Sequence, residues 1–135
     1  MASTIRLELV TPERLLLSEE VDEVVAPGYE GEFGVLPGHT QFLAILNIGV
    51  LWYRKEGAVK KIALGGGFAE VTHDRVVVLA DTAERADEID LERAKRARDR
   101  AEARLKELSL DNGTLAKVRA ALQRALARMA AGGGE

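Results

Sequence analysis

Two spacings of apolar residues divide this chain. Near the start, Ile5, Leu7 and Leu9 alternate with Arg6 and Glu8, the period-two pattern of a strand with one buried face. A second apolar run, Val21 to Ala26, stops at the turn pair Pro27-Gly28,. Leu51-Trp52-Tyr53-Arg54 and Val59-Lys60-Lys61-Ile62 flank Glu56-Gly57, which predicts a tight hairpin. Phe68 to Val71 and Arg75 to Leu79 flank Thr72-His73-Asp74 and predict another,. Short strands at this spacing, with no helical period between them, predict a sandwich or barrel.

Beyond Thr82 the period changes. Leu91, Ala94, Ala101, Leu105 and Leu108 recur at three- and four-residue intervals, with Arg98 interrupting the seam. This predicts a helix over residues 91–108, about 27 Å long. Asp90 stands before it as an N-cap, its carboxylate able to accept the free N–H groups of the first turn,. Asp111-Asn112-Gly113-Thr114 breaks the pattern. Leu115, Val118, Leu122, Ala125, Leu126 and Met129 then form a second stripe, so an antiparallel helical hairpin is expected,. Its seam is rich in alanine, which buries little apolar area, so the helices could separate at low cost. Gly132 to Gly134 reads as a frayed tail,.

Composition supports the division. The chain has 135 residues, 47% hydrophobic and 30% charged, enough for a packed core,. Residues 1–82 carry seven basic and twelve acidic side chains, net −5, and the remainder carries twelve and ten, net +2. The total of −3 argues against a nucleic-acid binder, as do the interleaved acids and the absence of any aromatic residue beyond Phe68,. No cysteine is present, and His39 and His73 are the two histidines, which excludes thiolate chemistry and a histidine-rich metal centre,. Phe33 to Tyr53 lacks charge, but Gly34, Pro37, Gly38, Asn47 and Gly49 interrupt it, so loop plus buried strand is expected rather than a membrane span,. The N-terminus enters alternation directly, and a signal peptide is not expected. Gly65-Gly66-Gly67 is followed by neither Lys-Ser/Thr nor a helix, so a bulge or close backbone approach is expected there instead of a phosphate loop,.

Four motifs carry a resemblance along essentially the whole chain: Val10-Thr11-Pro12, Gly31-Glu32-Phe33-Gly34-Val35-Leu36-Pro37-Gly38-His39, Gly65-Gly66-Gly67-Phe68-Ala69-Glu70-Val71, and Val78-Leu79-Ala80-Asp81-Thr82-Ala83-Glu84. In this order they resemble the epsilon subunit of bacterial F-type ATP synthases (delta in mitochondria). A fifth segment, Ile89-Asp90-Leu91-Glu92-Arg93-Ala94, is similar to that family's I/L-D-x-x-R-A pattern for ATP binding. The resemblance implies an α+β fold: an antiparallel β-sandwich over residues 1–84, a linker at 85–90, a two-helix hairpin at 91–131 and a tail at 132–135. It implies a non-catalytic rotor protein, monomeric when isolated and peripheral on the cytoplasmic face of the bacterial membrane. The partners would be the gamma subunit, the c-ring and the catalytic alpha and beta subunits.

Carried onto this sequence, the resemblance implies a c-ring interface at Glu32 and His39. It also implies an ATP site at Glu84, Ile89, Asp90, Arg93, Ala94, Arg100, Arg124 and Arg128, with ATP as a regulatory ligand and no required cofactor. Bound polyphosphate would relieve repulsion between arginines on the two helices through charge-assisted hydrogen bonds. Without the resemblance, the same charges read as a solvated helix face with pairs such as Glu92–Arg96 and Glu102–Lys106, and Glu32 and His39 read as turn residues. The alternative function is a stand-alone adaptor that binds an acidic partner through its arginines. Nothing in the sequence supports an enzyme with its own active site.

Overall fold

The computed structural model describes residues 3–107 and 111–133. Eight strands are followed by two helices: β1 (Ile5–Val10), β2 (Leu15–Val21), β3 (Glu23–Gly28), β4 (Gly31–Val35), β5 (Phe42–Lys55), β6 (Ala58–Val71), β7 (Arg75–Ala80), β8 (Ala83–Arg85), α1 (Leu91–Leu105) and α2 (Asn112–Gly133). The sheet order is β2-β1-β7-β6-β5-β3-β4, with β8 beside β6. All pairings are antiparallel except β1 with β7, which run parallel. The sheet folds over one core in which Ile5, Leu7, Leu9, Val24, Leu51 and Val78 are fully buried.

Local chemistry sets the turns. Thr11 closes the β1–β2 connection by exchanging backbone hydrogen bonds with Arg14. The Glu56-Gly57 hairpin forms as expected, both residues having positive φ, 52° and 82°, the requirement of a two-residue turn matched to strand twist. The run Val21–Ala26 proves to be two strands divided at Asp22.

The long β5–β6 hairpin changes which side chains face the core partway along. On β6, Ile62 and Leu64 point inward before the glycines, and Ala69 and Val71 after them. On β5, Leu46 points inward before Asn47, and Leu51 and Tyr53 after it. The inversion falls where the strand pairing skips from Leu46–Gly67 to Ile48–Gly65, the signature of an irregularity that turns a strand over. Gly66 and Gly67 have φ of +98° and +138°, and a Cβ on Gly67 would overlap the Leu79 carbonyl. Close approach, not phosphate binding, explains these glycines.

The helices stack as a second and third layer. α2 packs on β5 and β6, and α1 packs on α2. Ala127 and Ala131 meet Ala63 of β6, with Ile48, Val50 and Ile89 partly buried around them. Ala94, Ala101, Val118 and Ala125 are buried on the two helices. Leu126, expected in the stripe, is instead 45% exposed, because α2 uses Ala127 and Ala131 to reach the sheet. α1 ends at Leu105, short of the expected Leu108, which lies outside the described residues. Asp111 caps α2 through the Thr114 N–H at 2.7 Å, so its helix starts inside the expected break. α2 continues through Gly133, so Gly132 and Gly133 are helical rather than frayed; Gly134 and Glu135 lie outside the described residues.

Candidate functional site

Two regions hold the residues singled out in the sequence. The first lies where the hairpin joins the sandwich. Glu84 sits on β8 directly opposite Ala63 of β6, and Arg128 of α2 donates to its carboxylate at 2.5 Å. Arg124, one turn earlier, lines the same recess with Gly65 and Thr82. The recess admits only about 10 Å³, room for one water at most.

Ile89 and Asp90 join the turn Ala86–Glu88 to α1. The Ile89 side chain packs against the alanine seat, and the Asp90 carboxylate accepts the Arg93 N–H at 3.1 Å, the predicted cap of α1. Ala94 is only 2% exposed, its methyl packed at the helix seam and not open to a ligand. Arg93 and Arg100 are exposed on α1 and are not among the residues lining the recess. The structure therefore gathers Glu84, Arg124 and Arg128, seats Ile89 against the alanines of α2, uses Asp90 as the cap of α1, and leaves Arg93 and Arg100 outside the recess. The expected helix pairs also differ: Glu92 pairs with Lys95, and Arg98 with Asp99 and Glu102.

The second region is one end of the sandwich. Glu32 is exposed on β4, opposite Pro27. His39 lies in the loop before β5, its Nδ1 2.9 Å from the Thr40 carbonyl oxygen. The His39 ring meets Phe42 edge-on at 5.3 Å, and Phe42 meets Phe33 in the same way at 5.3 Å. An aromatic chain thus runs from His39 to Phe33, the residue that follows Glu32 on β4. Gly38 also donates its N–H to the His73 carbonyl at 2.8 Å, bringing the two histidine-bearing loops, distant in sequence, to the same end.

Sequence reasoning missed an apolar surface beside this end. Ile45, Phe68 and Leu79 are direct neighbours across β5, β6 and β7, and they are 67%, 46% and 42% exposed. Leu43 and Tyr29, at 70% and 71%, extend the row, and the Tyr29 N–H donates to the Ile45 carbonyl. The only signal was that Phe42 to Leu46 is apolar on both faces; which face lacks a cover is not written in that run. A contiguous row of this kind marks an interaction surface. No helix among the described residues is long and apolar enough to cross a membrane.

Comparison with known proteins agrees with the fold. The family model for the ATP synthase delta/epsilon chain β-sandwich domain matches residues 4–86, and that for the delta/epsilon long α-helix domain matches residues 87–133. The ATP synthase epsilon chain of Nitratidesulfovibrio vulgaris (strain DP4) is 54% identical over 129 residues, covering 96% of both chains. That of Geobacter sulfurreducens is 55% identical over 133 residues, covering 98% of this chain and 96% of the relative. A chain of the Euglena gracilis mitochondrial ATP synthase c-ring assembly superposes with a TM-score of 0.83 at 30% identity, over 96% of this chain and 81% of that one. A chain of the Tetrahymena thermophila mitochondrial ATP synthase central stalk shares the fold, with a TM-score of 0.62 at 16% identity, covering 95% and 96%. Sandwich, hairpin and matched relatives together establish that this chain belongs to the delta/epsilon family of ATP synthase subunits.

Proposed function

We propose that this chain is a rotor subunit which joins the gamma subunit to the c-ring and catalyses nothing itself. The exposed row from Tyr29 to Leu79 carries the reading. A small protein that leaves five large apolar side chains bare on one sheet face, and covers the adjoining part with its own helices, needs a partner for the bare part,. Gamma occupies that row, and the Glu32–His39 end faces the polar loops of the c-ring. The subunit then sits peripherally at the cytoplasmic face of a bacterial membrane. Co-elution with gamma tests the assignment: Ile45→Glu should abolish it, since a carboxylate desolvated against an apolar partner is costly. Unchanged co-elution would reassign the row.

The hairpin, in this proposal, is the regulatory element. ATP displaces Glu84 from Arg128, and its phosphates take Arg124 and Arg128 by charge-assisted hydrogen bonding. Arg93 and Arg100 swing in from α1, while backbone near Ile89 and Asp90 meets the base. ATP then holds the compact form, because a ligand shifts an equilibrium only by binding one state better. Without ATP the helices extend toward the catalytic alpha and beta subunits and oppose hydrolysis. Calorimetric titration of the full chain with ATP should lose its signal in Arg93→Ala and keep it in Arg6→Ala. Ending the chain at Asp87 should raise hydrolysis by the assembled enzyme at low ATP; equal rates would remove the inhibitory role and leave the rotor role intact.

A further inference from the structure

Between β8 and α1 the chain makes one tight turn, Ala86–Glu88, and then two extended residues, Ile89 and Asp90. The turn is tied to the sandwich. Glu88 accepts the Arg85 N–H at Oε1, at 2.9 Å, and Arg14 Nη2 donates to both of its carboxylate oxygens, each at 2.9 Å. These bonds, that of the Arg85 N–H first, hold the Glu88 carboxyl below the ordinary carboxylate range,. Arg14 is itself fixed, because it exchanges backbone hydrogen bonds with Thr11 across the β1–β2 connection and Thr11 is only 7% exposed. One residue before the turn, the Arg85 guanidinium donates to the Leu16 carbonyl of β2. Residues 85–88 are thus joined to the first β-hairpin by two separate side chains.

The next two residues are held differently. The Ile89 N–H closes the turn on the Ala86 carbonyl at 3.3 Å, and the Asp90 carbonyl accepts the Ala94 N–H at 3.0 Å. With the Asp90 carboxylate on the Arg93 N–H, the hydrogen bonds of this pair run along the chain, to the turn behind and the helix ahead. What holds Ile89 sideways is apolar contact at the alanine seat of α2. Gly132 comes so near that a Cβ there would lie 3.0 Å from Ile89 Cγ2 and 3.1 Å from Leu91 Cδ2. That contact is lost whenever α2 leaves the sheet. The bonds of Glu88 do not involve α2 and remain.

We infer that Glu88 latches the turn to the first β-hairpin, so that the helices, on leaving their seat, swing about Ile89 and Asp90 as their hinge and not about the end of β8. The consequence is one of aim. Two free residues give at most about 7 Å of slack and five, from Ala86 to Asp90, about 17 Å. The latch therefore keeps the base of α1 at one place on the sandwich while its far end moves. The Arg14 and Glu88 side chains are 49% and 34% exposed, so their charge pair alone favours the latched turn by about fivefold or less, and the Arg85 N–H bond adds to it. The inference rests on the reading that the hairpin leaves its seat, not on ATP as the signal.

The chain has no cysteine, so pairs of introduced cysteines can carry nitroxide labels for pulsed dipolar distance measurement on the full chain. The reference label is at Glu70→Cys on β6, and the second is at Asp87→Cys in the turn or Arg104→Cys near the end of α1, all exposed positions. Ala127→Glu releases the hairpin. Because α1 is a lever of about 20 Å, the Arg104 distance distribution should then broaden about twofold or more, while the Asp87 distribution stays as narrow as in the parent. Adding Glu88→Ala, which removes both of its bonds at once, should widen the Asp87 distribution; Arg14→Ala, which removes one, should widen it less. A turn label that broadens on release with Glu88 intact would place the pivot at β8 and overturn the proposal. So would a turn label that stays narrow in the released Glu88→Ala chain. An Arg104 label that stays narrow even when Ala131→Glu is added would mean that nothing swings, and the proposal would fall together with the regulatory reading. An ATP titration without signal would remove the ligand from that reading and leave the latch standing.

Discussion

Replacing Ala127 by Glu should release the helical hairpin while the sandwich stays folded. Ala127, Ala131 and Ala63 are 6%, 1% and 6% exposed where α2 meets the sheet. At ~0.8 kcal/mol for each buried methyl, the three contribute about 2.4 kcal/mol. Ile48, Val50 and Ile89 are only partly buried and add roughly 3 kcal/mol together,. The Glu84–Arg128 pair is about one-third exposed on both sides, 36% and 34%, and contributes up to about 1 kcal/mol. The seat is therefore worth about 6 kcal/mol before the entropy of ordering the hinge is subtracted. A carboxylate buried among these alanines, with no partner, costs several kcal/mol, a large part of the whole seat. The sandwich core lies on the other side of the sheet and loses nothing. Amide hydrogen exchange should show lost protection in α2 around Ala127 and unchanged protection in β1 and β7. Leu126→Glu, at an exposed neighbouring position, serves as the control and should release nothing. Two results would refute the reasoning: helices as protected as in the parent, or a sandwich that unfolds with them.

Gly67→Ala should lose about 3 kcal/mol or more in denaturant unfolding, since φ of +138° and the Leu79 carbonyl both oppose a side chain,; a loss under 1 kcal/mol would contradict the close approach. Burial first, and then its bond to Glu19, raises the Tyr53 phenol to about 12. Because the folded pKa is raised, the stability it contributes is fully present below pH 10 and is lost as pH rises through about 12. Tyr53→Phe should flatten that alkaline decline, and an ultraviolet phenol titration should find one tyrosine ionising near 12 in the parent.

Much of this architecture was legible because period and turn chemistry agreed locally. Ile5, Leu7 and Leu9 alternate and are wholly buried, and Glu56-Gly57 has the residue types its turn needs. β2 was hidden because Leu16 and Leu17 are consecutive and both buried, a break in period two that follows the irregularity at Leu9–Val10 on its partner strand. The seat of α2 was hidden for another reason. Ala127 and Ala131 are too small to stand out in an apolar stripe, yet their smallness lets the helix approach the sheet. Glu84, Arg124 and Arg128 were named from motif, but their meeting depends on where that seat places α2. Sequence spacing held no information about the angle between α2 and β8, and so none about which arginines enter the recess.

The inversion at Asn47 and Gly66 has a mechanical consequence. One covalent strand, β6, carries Phe68 in the bare apolar row and, across the glycines, Ala63 beneath α2. Its partner β5 repeats the arrangement with Ile45 and Ile48. A load on the row is thus passed along two continuous, hydrogen-bonded strands to the floor of the helix seat. Asn47 on β5 and the left-handed glycines on β6 are the joints in that path, where strain would show first as a change in the angle between the two ends of the hairpin.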